Sequence, residues 1–487
     1  DDKRWGELAY NAALNFEAAK LLGQAIAIRK ALIKIKLNDK TDKKGRILAQ
    51  KAMYQLGGNF HALAWYSRAA DYYERFAKAF PGEKEAPDAL QNAIIFRLGR
   101  AEYQKAKDDV TYFAKHYGTR RKYKARAASA VFSLGVVYDE RKDKDTIVKF
   151  YKMYLRKWGA SGGKDRQILA NVRIARALWE KSCPVKGVHG ACVTQKRVRS
   201  KRKIKKRRHR RGRKKKAIEL RKQCGPETKT KITVHKRRKG DARQAMKRFA
   251  TVLRLSRRAK VKGATKEELA RRQAKMRFAV AEAQFFTAER LFERFLEVKF
   301  PKGLDFSKSN KNKKQAAKSA KRAAKSAKKF AKYLSEKSKL LTQARVAYQT
   351  VIKLKVAHWA IAGAARIGQL YQQFADALYT APVPKPPVPK VLHRREDIEE
   401  FIMTFTDSYC DTLEDKARPL EKKAVQGLSV CLNKSTQVSW YNAWSRLCER
   451  ELNQIKPAEY PMATEIRSKP GYLDLRPAQS VVVTDIN

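Results

Sequence analysis

The sequence predicts an all-α chain: an α-solenoid of stacked helical hairpins, interrupted by a small disulfide-tied β-ribbon that carries a basic loop, and followed by a C-terminal helical module. Three observations carry this reading. From Gln50 to Glu83 apolar residues recur at helical spacing in two runs, Met53, Leu56, Gly57 and Phe60, then Ala69, Tyr73 and Phe76, before Pro81 closes the unit. Val131, Leu134, Gly135, Tyr138, Ile147, Tyr151 and Tyr154 reproduce the same offsets, with Trp158-Gly159 in place of the closing proline. Between them Ala93, Phe96, Ala106, Val110 and Phe113 fit a third unit whose turn is one residue longer. An ordinary bundle with apolar stripes is the competing reading, and two units that keep every offset argue against it. The small Gly57 and Ala69 sit where antiparallel helices must approach, and large residues fill the groove to the next pair. A single hairpin cannot bury its own apolar face, so neighbours are required.

In chain order, residues 5–36 read as two helices stacked before the first clear repeat. The repeats run to Gly159, and Ser161-Gly162-Gly163 breaks the chain before a helix from Arg166 to Lys181. Its partner does not follow directly. Residues 183–192 and 231–235 are β-like and flank a basic run, predicting a two-stranded ribbon inserted within a helical hairpin, with Asp241 to Arg257 as the displaced partner helix. Residues 265–299 carry the aromatic stripe Phe278, Phe285, Phe292 and Phe295, a core signature rather than a cofactor site, closed by Phe300-Pro301. A Lys/Ala helix is expected over 313–334, exposed and thinly packed, then a pair over 342–354 and 357–378 with Ala360, Gly363, Ala364 and Gly368 on one face. Ala381 to Pro389 is extended and polyproline-like, a stiff spacer or a ligand for an aromatic groove. Three helices are expected over 395–455. The expected divisions are 1–181, 182–240, 241–380, 381–394, 395–456 and an irregular tail, 457–487.

The 487 residues suffice for two or three domains or one long solenoid, and the 43% hydrophobic content suffices for a core. The formal charge of +65, from 112 Lys and Arg against 47 Asp and Glu, predicts attraction to polyanions without saying which: nucleic acid, anionic lipid, lipopolysaccharide or an acidic protein. No apolar run of about 18 residues spans a bilayer. The chain begins at Asp1, which leaves open whether a signal peptide or other segment precedes it.

No phosphate-binding glycine loop, dinucleotide fingerprint, zinc-protease motif or nucleophile elbow is present, so no catalytic residue and no cofactor is expected. His61, His116 and His358 fall within helices, where a packed or surface imidazole outweighs a ligand. Sixteen of the 21 residues from Lys196 to Lys216 are Lys or Arg, and Lys201, Arg202, Lys205, Lys206, Arg207, Arg208, Arg210 and Arg211 are its polyanion-binding candidates. A solvated loop is the plain reading. With no aromatic residue among them, contacts would be to backbone phosphates and steeply salt-dependent; in a nucleated cell the run would also pass for an import signal. The six cysteines form two groups of three, Cys183, Cys192 and Cys224, then Cys410, Cys431 and Cys448. One bridge within each group is expected in an oxidising compartment, with Cys224 joined to Cys183 or Cys192 across the base of the basic loop. Cys183, His189, Cys192 and Cys224 as a zinc site is the alternative, disfavoured by the long gap between the first two cysteines.

The Leu-Gly, aromatic, Ala, aromatic and Pro spacing resembles a tetratricopeptide repeat. FEAAKLLGQAIAIRKALI at 16–33, ALAWYSRAADYYERFAKAFPGE, CPVKGVHGAC, CGPETKTKITV, YCDTLEDKARPLEKKA and WYNAWSRLCERELNQI together resemble large tetratricopeptide-repeat proteins of myxobacterial adventurous gliding motility. The resemblance implies a periplasmic, non-enzymatic scaffold bound to other proteins of an envelope complex. The chain departs from that pattern in the Lys and Arg at many surface positions. Asn59, Asn92, Arg97 and Arg100 on inner helices are the expected partner-groove residues. A polyanion binder of the cytoplasm or nucleoid, acting through 196–216 and 313–334, is the alternative.

Overall fold

The computed structural model describes residues 4–141, 143–199, 224–225, 228–263, 265–305, 313–384, 386, 388–389 and 391–462. Two compact units divide the chain, residues 1–196 with 230–293, and residues 197–229 with 294–487. The division after Glu293 falls inside a helix.

In the first unit α1 (Trp5–Ala18), α2 (Leu22–Lys36), α3 (Lys43–Ala62), α4 (Tyr66–Ala79), α5 (Ala86–Gly99) and α6 (Tyr103–His116) each pack on the next. They continue as α7 (Lys124–Ser133), α8 (Gly135–Arg141), α9 (Lys144–Lys157) and α10 (Gly159–Ser182), a tetratricopeptide-like stack of helical hairpins. The hairpin spacing follows from the glycines of the repeat. A Cβ on Gly57 would lie 2.6 Å from the Tyr73 ring, so α3 and α4 close to a distance that only glycine permits; at Gly135 the Tyr151 hydroxyl fills the same space. Gly57→Ala is therefore expected to lower the urea unfolding midpoint, at a cost of about 1–3 kcal/mol in displacing a buried ring. An unchanged midpoint would mean that the α3–α4 distance is not set there.

The tight turns share one geometry. Lys20, Ala64 and Ala101 are left-handed, and beyond each the next amide donates back five residues, Leu21 to Phe16 O, Trp65 to Phe60 O and Glu102 to Arg97 O, each at 2.8 Å. This closure satisfies carbonyls that a helix end would otherwise leave open.

The break expected at residues 161–163 is a kink at Gly163 (φ 86°) within α10. After Ser182, Cys183 pairs with Cys192 across a small loop bridged at Val188 and Ala191. The ribbon consists of β1 (Val193–Arg199) and β2 (Thr228–Val234), so its first strand lies after Cys192 and not within 183–192. The loop is held by Arg237, whose guanidinium stacks 3.6 Å from the Trp179 ring and donates to Trp179 O, Ser182 Oγ, Gly190 O and Glu293. Glu293 accepts from Cys192 N at 2.7 Å. Then α11 (Lys239–Ser256) packs on α10 as its partner, and α12 (Lys266–Glu297) begins.

In the second unit, the segments expected as separate helices over 313–334 and 342–354 form one 41-residue helix, α13 (Lys313–Lys353), packed on α14 (Ala357–Tyr379). The three helices expected over 395–455 are two: α15 (Arg395–Gln437) runs unbroken through Pro419, and α16 (Ala443–Ile455) folds back on it. A Cβ on Gly368 of α14 would meet Leu428 of α15 at 2.6 Å, and one on Gly427 would meet Gly368 Cα at 3.0 Å. This backbone-close packing keeps residues beyond the proline-rich stretch in the same unit as α14. Cys431–Cys448 staples the α15–α16 hairpin, and Cys224 is joined to Cys410 of α15.

Candidate protein-binding surface

Two of the four residues expected to line a groove are core residues. Arg97, at the end of α5, is 1% exposed and meets four carboxylates from three places in the chain. Its Nε donates to Asp109 Oδ2 at 2.8 Å, Nη1 to Glu102 Oε2 at 2.9 Å, and Nη2 to Asp71 Oδ1 at 3.1 Å and to Glu74. A guanidinium with every edge occupied is the residue suited to such a site. Burial, with Glu74 alongside, pushes the Asp109 carboxyl up to about 7 although Arg97 and Lys78 oppose it. Burial works against the Glu74 carboxylate too, but Lys78 and Arg97 hold its pKa below the ordinary value.

Asn59 is fully buried as well. Arg29 of α2 donates to Glu17 at 2.5 Å, to Gln55 Oε1 at 3.1 Å and to Asn59 Oδ1, while Asn59 Nδ2 donates to Glu17 Oε1 at 3.1 Å. These polar positions are internal to the repeat stack, where they fix the register of neighbouring hairpins, and neither Asn59 nor Arg97 is available to a partner. Asn92 is half-buried beside Tyr73, and Arg100, at the end of α5, is exposed.

An open, charged cleft lies instead where α8, α9 and α10 meet. It encloses about 370 Å³ and is lined by Asp139, Lys144, Ile147, Arg173, Arg176, Ala177 and Glu180. Lys144 Nζ and Arg176 Nε both reach Glu180, at 2.6 and 3.0 Å, and Arg176 Nη1 reaches the buried Glu282 at 3.2 Å. Arg173 is held loosely, 3.5 Å from Asp139, with its side chain 44% exposed. Burial raises the pKa of Asp139 and of Glu282. Burial also disfavours the Glu180 carboxylate, but Lys144 and Arg176 hold its pKa below the ordinary value. The cleft thus presents charges of both signs, closely paired around Glu180 and loosely paired only between Arg173 and Asp139, over an apolar floor of Ile147 and Ala177. Sequence reading missed it because it comes from three helices; its one local signal is Arg173, Arg176 and Glu180 at helical spacing on one face.

The zinc reading of Cys183, His189, Cys192 and Cys224 fails because the thiols are oxidised in pairs: Cys183–Cys192, Cys224–Cys410 and Cys431–Cys448. The expected link from Cys224 to Cys183 or Cys192 fails with it. Cys224 lies against the end of α14, its amide donating to Ala381 O at 2.9 Å, and so faces α15. The polyanion candidates Lys201, Arg202, Lys205, Lys206, Arg207, Arg208, Arg210 and Arg211 lie outside the described residues. No described helix is long and apolar enough to cross a membrane.

No protein-family model matches the chain, and no curated protein matches it. Among solved structures, the crystal structure of yeast Tom70 matches over 94% of this chain and 89% of that one, at 10% identity and a TM-score of 0.24. At that similarity it carries no argument, and the hairpin fold rests on the helix order and packing described above.

Proposed function

We propose that this protein is a non-enzymatic scaffold that captures segments of partner proteins on its stacked hairpins, with the α8–α9–α10 cleft as an anchoring point. The supporting observation is the cleft itself: charges of both signs around a small apolar floor, with Arg173 exposed and only loosely paired with Asp139, on a framework of stacked hairpins. A partner segment entering there exchanges its own charged side chains for those of Asp139 and Arg173 and covers Ile147. Such exchange selects for charge pattern more than for raw affinity.

The compartment we assign is an oxidising one, the periplasm or cell envelope, because all six cysteines are paired in a chain large enough not to need bridges for a core. Within the envelope, the resemblance to gliding-motility repeat proteins supports an assembly of that kind. The experiment is capture of envelope partners by immobilised protein carrying Lys144→Glu with Arg173→Glu. Capture is expected to fall at least about ten-fold with helical circular dichroism unchanged. Lys149→Glu, an exposed charge reversal on α9, is the control. Equal capture by all three proteins would remove the cleft as the binding site.

A second reading, binding of a polyanion, is favoured by the exposed cations of α13: Lys318, Lys321, Arg322, Lys325, Lys328 and Lys332 all face solvent.

A further inference from the structure

The cationic face of α13 has a geometry that narrows this second reading. Ser319, Ser326, Tyr333 and Leu340 are buried, each seven residues after the last, and so form one seam along the helix. The seam is fixed in place: Ser326 Oγ accepts from Asp305 N at 2.9 Å, and the Tyr333 ring packs on Phe300 and Phe374 at 5.3 and 6.3 Å. With about 100° between successive residues, the azimuth of every other row follows. Lys318, Lys325 and Lys332, each one residue before a seam residue, form a row about 100° from the seam, and Lys314, Lys321 and Lys328 one about 140° from it, all exposed. Arg322 and Lys329 extend the face toward the seam, where Arg322 lies 3.6 Å from Asp305. No acidic residue occurs from Lys313 to Ser335.

The two lysine rows are about 40° apart and run about 27 Å along a straight helix, so six ammonium groups reach a single plane together. A planar array of phosphates engages all six at once. A nucleic-acid duplex curves away from a straight helix and meets the array only where the two cross, unless the helix enters a groove. The other exposed positions from 317 to 331 are alanines, which insert little into hydrocarbon. We infer that α13 is a docking face for an anionic lipid surface, which the protein meets through head-group phosphates without insertion. The inference rests on the oxidising-compartment part of the function proposed above, where lipid head groups are the available phosphates.

The test uses the full chain with sedimentation of vesicles of phosphatidylglycerol and phosphatidylcholine at 3:7. Binding is expected at low salt, to weaken steeply toward about 0.3 M salt, and to be absent on pure phosphatidylcholine. Replacing Lys314, Lys318, Lys321, Lys325, Lys328 and Lys332 together by Gln, which preserves helix propensity, is expected to weaken binding about a hundred-fold. A variant with six basic residues of the 201–211 run changed to Gln matches it in charge and is expected to lose less than about ten-fold. In the unmutated protein, acetylation of Lys318, Lys325 and Lys332 is expected to slow at least about five-fold on vesicles, with Lys149 unaffected; this readout does not depend on a variant folding. Equal losses in the two variants, no protection of the α13 lysines, or tighter binding to a 20-base-pair duplex than to vesicles at the same salt would each overturn the lipid assignment. Failure of the compartment reading shows separately, as free thiols in protein mapped from its source.

Discussion

Replacing Arg97 by Met is expected to destabilise the first unit by about 3–5 kcal/mol, read as a lower urea midpoint, because it leaves buried Asp109 without its counter-charge. The loss exceeds that of any surface pair, since Asp109 Oδ1 already has no hydrogen-bond partner and lies 3.7 Å from its nearest other cation, Lys78 Nζ. Adding Asp109→Asn is expected to recover part of the loss, as removing both members of a buried pair costs less than removing one. The effect also depends on pH. The folded-state pKa of Asp109 is raised to about 7, above the ordinary carboxylate value near 3.8, so the native chain binds this proton more tightly than the unfolded chain does. Its contribution to stability is therefore greatest below about pH 4 and declines as pH rises toward about 7, with a slope of at most about 1.4 kcal/mol per pH unit. Asp109→Asn alone is expected to flatten that slope, and the Arg97→Met penalty is expected to be larger at pH 8 than at pH 5. A pH-independent penalty would show that Asp109 stays charged, or stays neutral, throughout.

The second large effect concerns Cys224–Cys410, which closes 186 residues. In the chain-entropy account a crosslink over so long a loop stabilises by about 5 kcal/mol, and native bridges removed in practice cost about 2–5 kcal/mol. Cys224→Ser is accordingly expected to cost about 3–5 kcal/mol in the second unit, about twice the effect of Cys183→Ser on the short Cys183–Cys192 loop. Non-reducing peptide mapping is expected to recover Cys224 joined to Cys410. A peptide joining Cys224 to Cys183 or Cys192 would contradict the fold at the end of α14.

The repeat units were legible in the sequence because their packing is encoded at fixed short offsets: Gly57 with Tyr73, and Gly135 with Tyr151, are small-to-large pairs within one hairpin. The turns were not. Ala64 and Ala101 occupy left-handed positions where glycine is the usual marker, and the backbone closure that holds them leaves no trace in residue type. Arg97 and Asn59 show why groove residues were misjudged: a polar residue on an inner helix reads as solvent-facing until its carboxylate partners, distributed from Glu17 to Asp109, are seen to converge on it. The three helices expected over 395–455 are two because α15 runs through Pro419, where a long helix packed along α14 outweighs the one hydrogen bond a proline removes. One bridge within each group of cysteines was legible, as Cys183–Cys192 and Cys431–Cys448 show, but the partner of Cys224 was not, because grouping along the chain carries no distance information.

The insertion makes one joint of the first unit unlike the others in folding order. Elsewhere in the stack a helix meets its partner after a turn of a few residues, so pairing is local and fast. Between Ser182 and Lys239 lie 56 residues, and bringing α10 and α11 together across them costs about 2 kcal/mol more in closure entropy than a four-residue turn does. Structure that propagates along the hairpins from α1 must wait at α10 until a distant segment arrives, or meet structure growing back from α12. The Arg237 latch on Trp179, Ser182 and Glu293 forms at the end of that wait. By tying Trp179 and Ser182 at the end of α10 to Glu293 of α12, it couples the hairpins before the insertion to those after it.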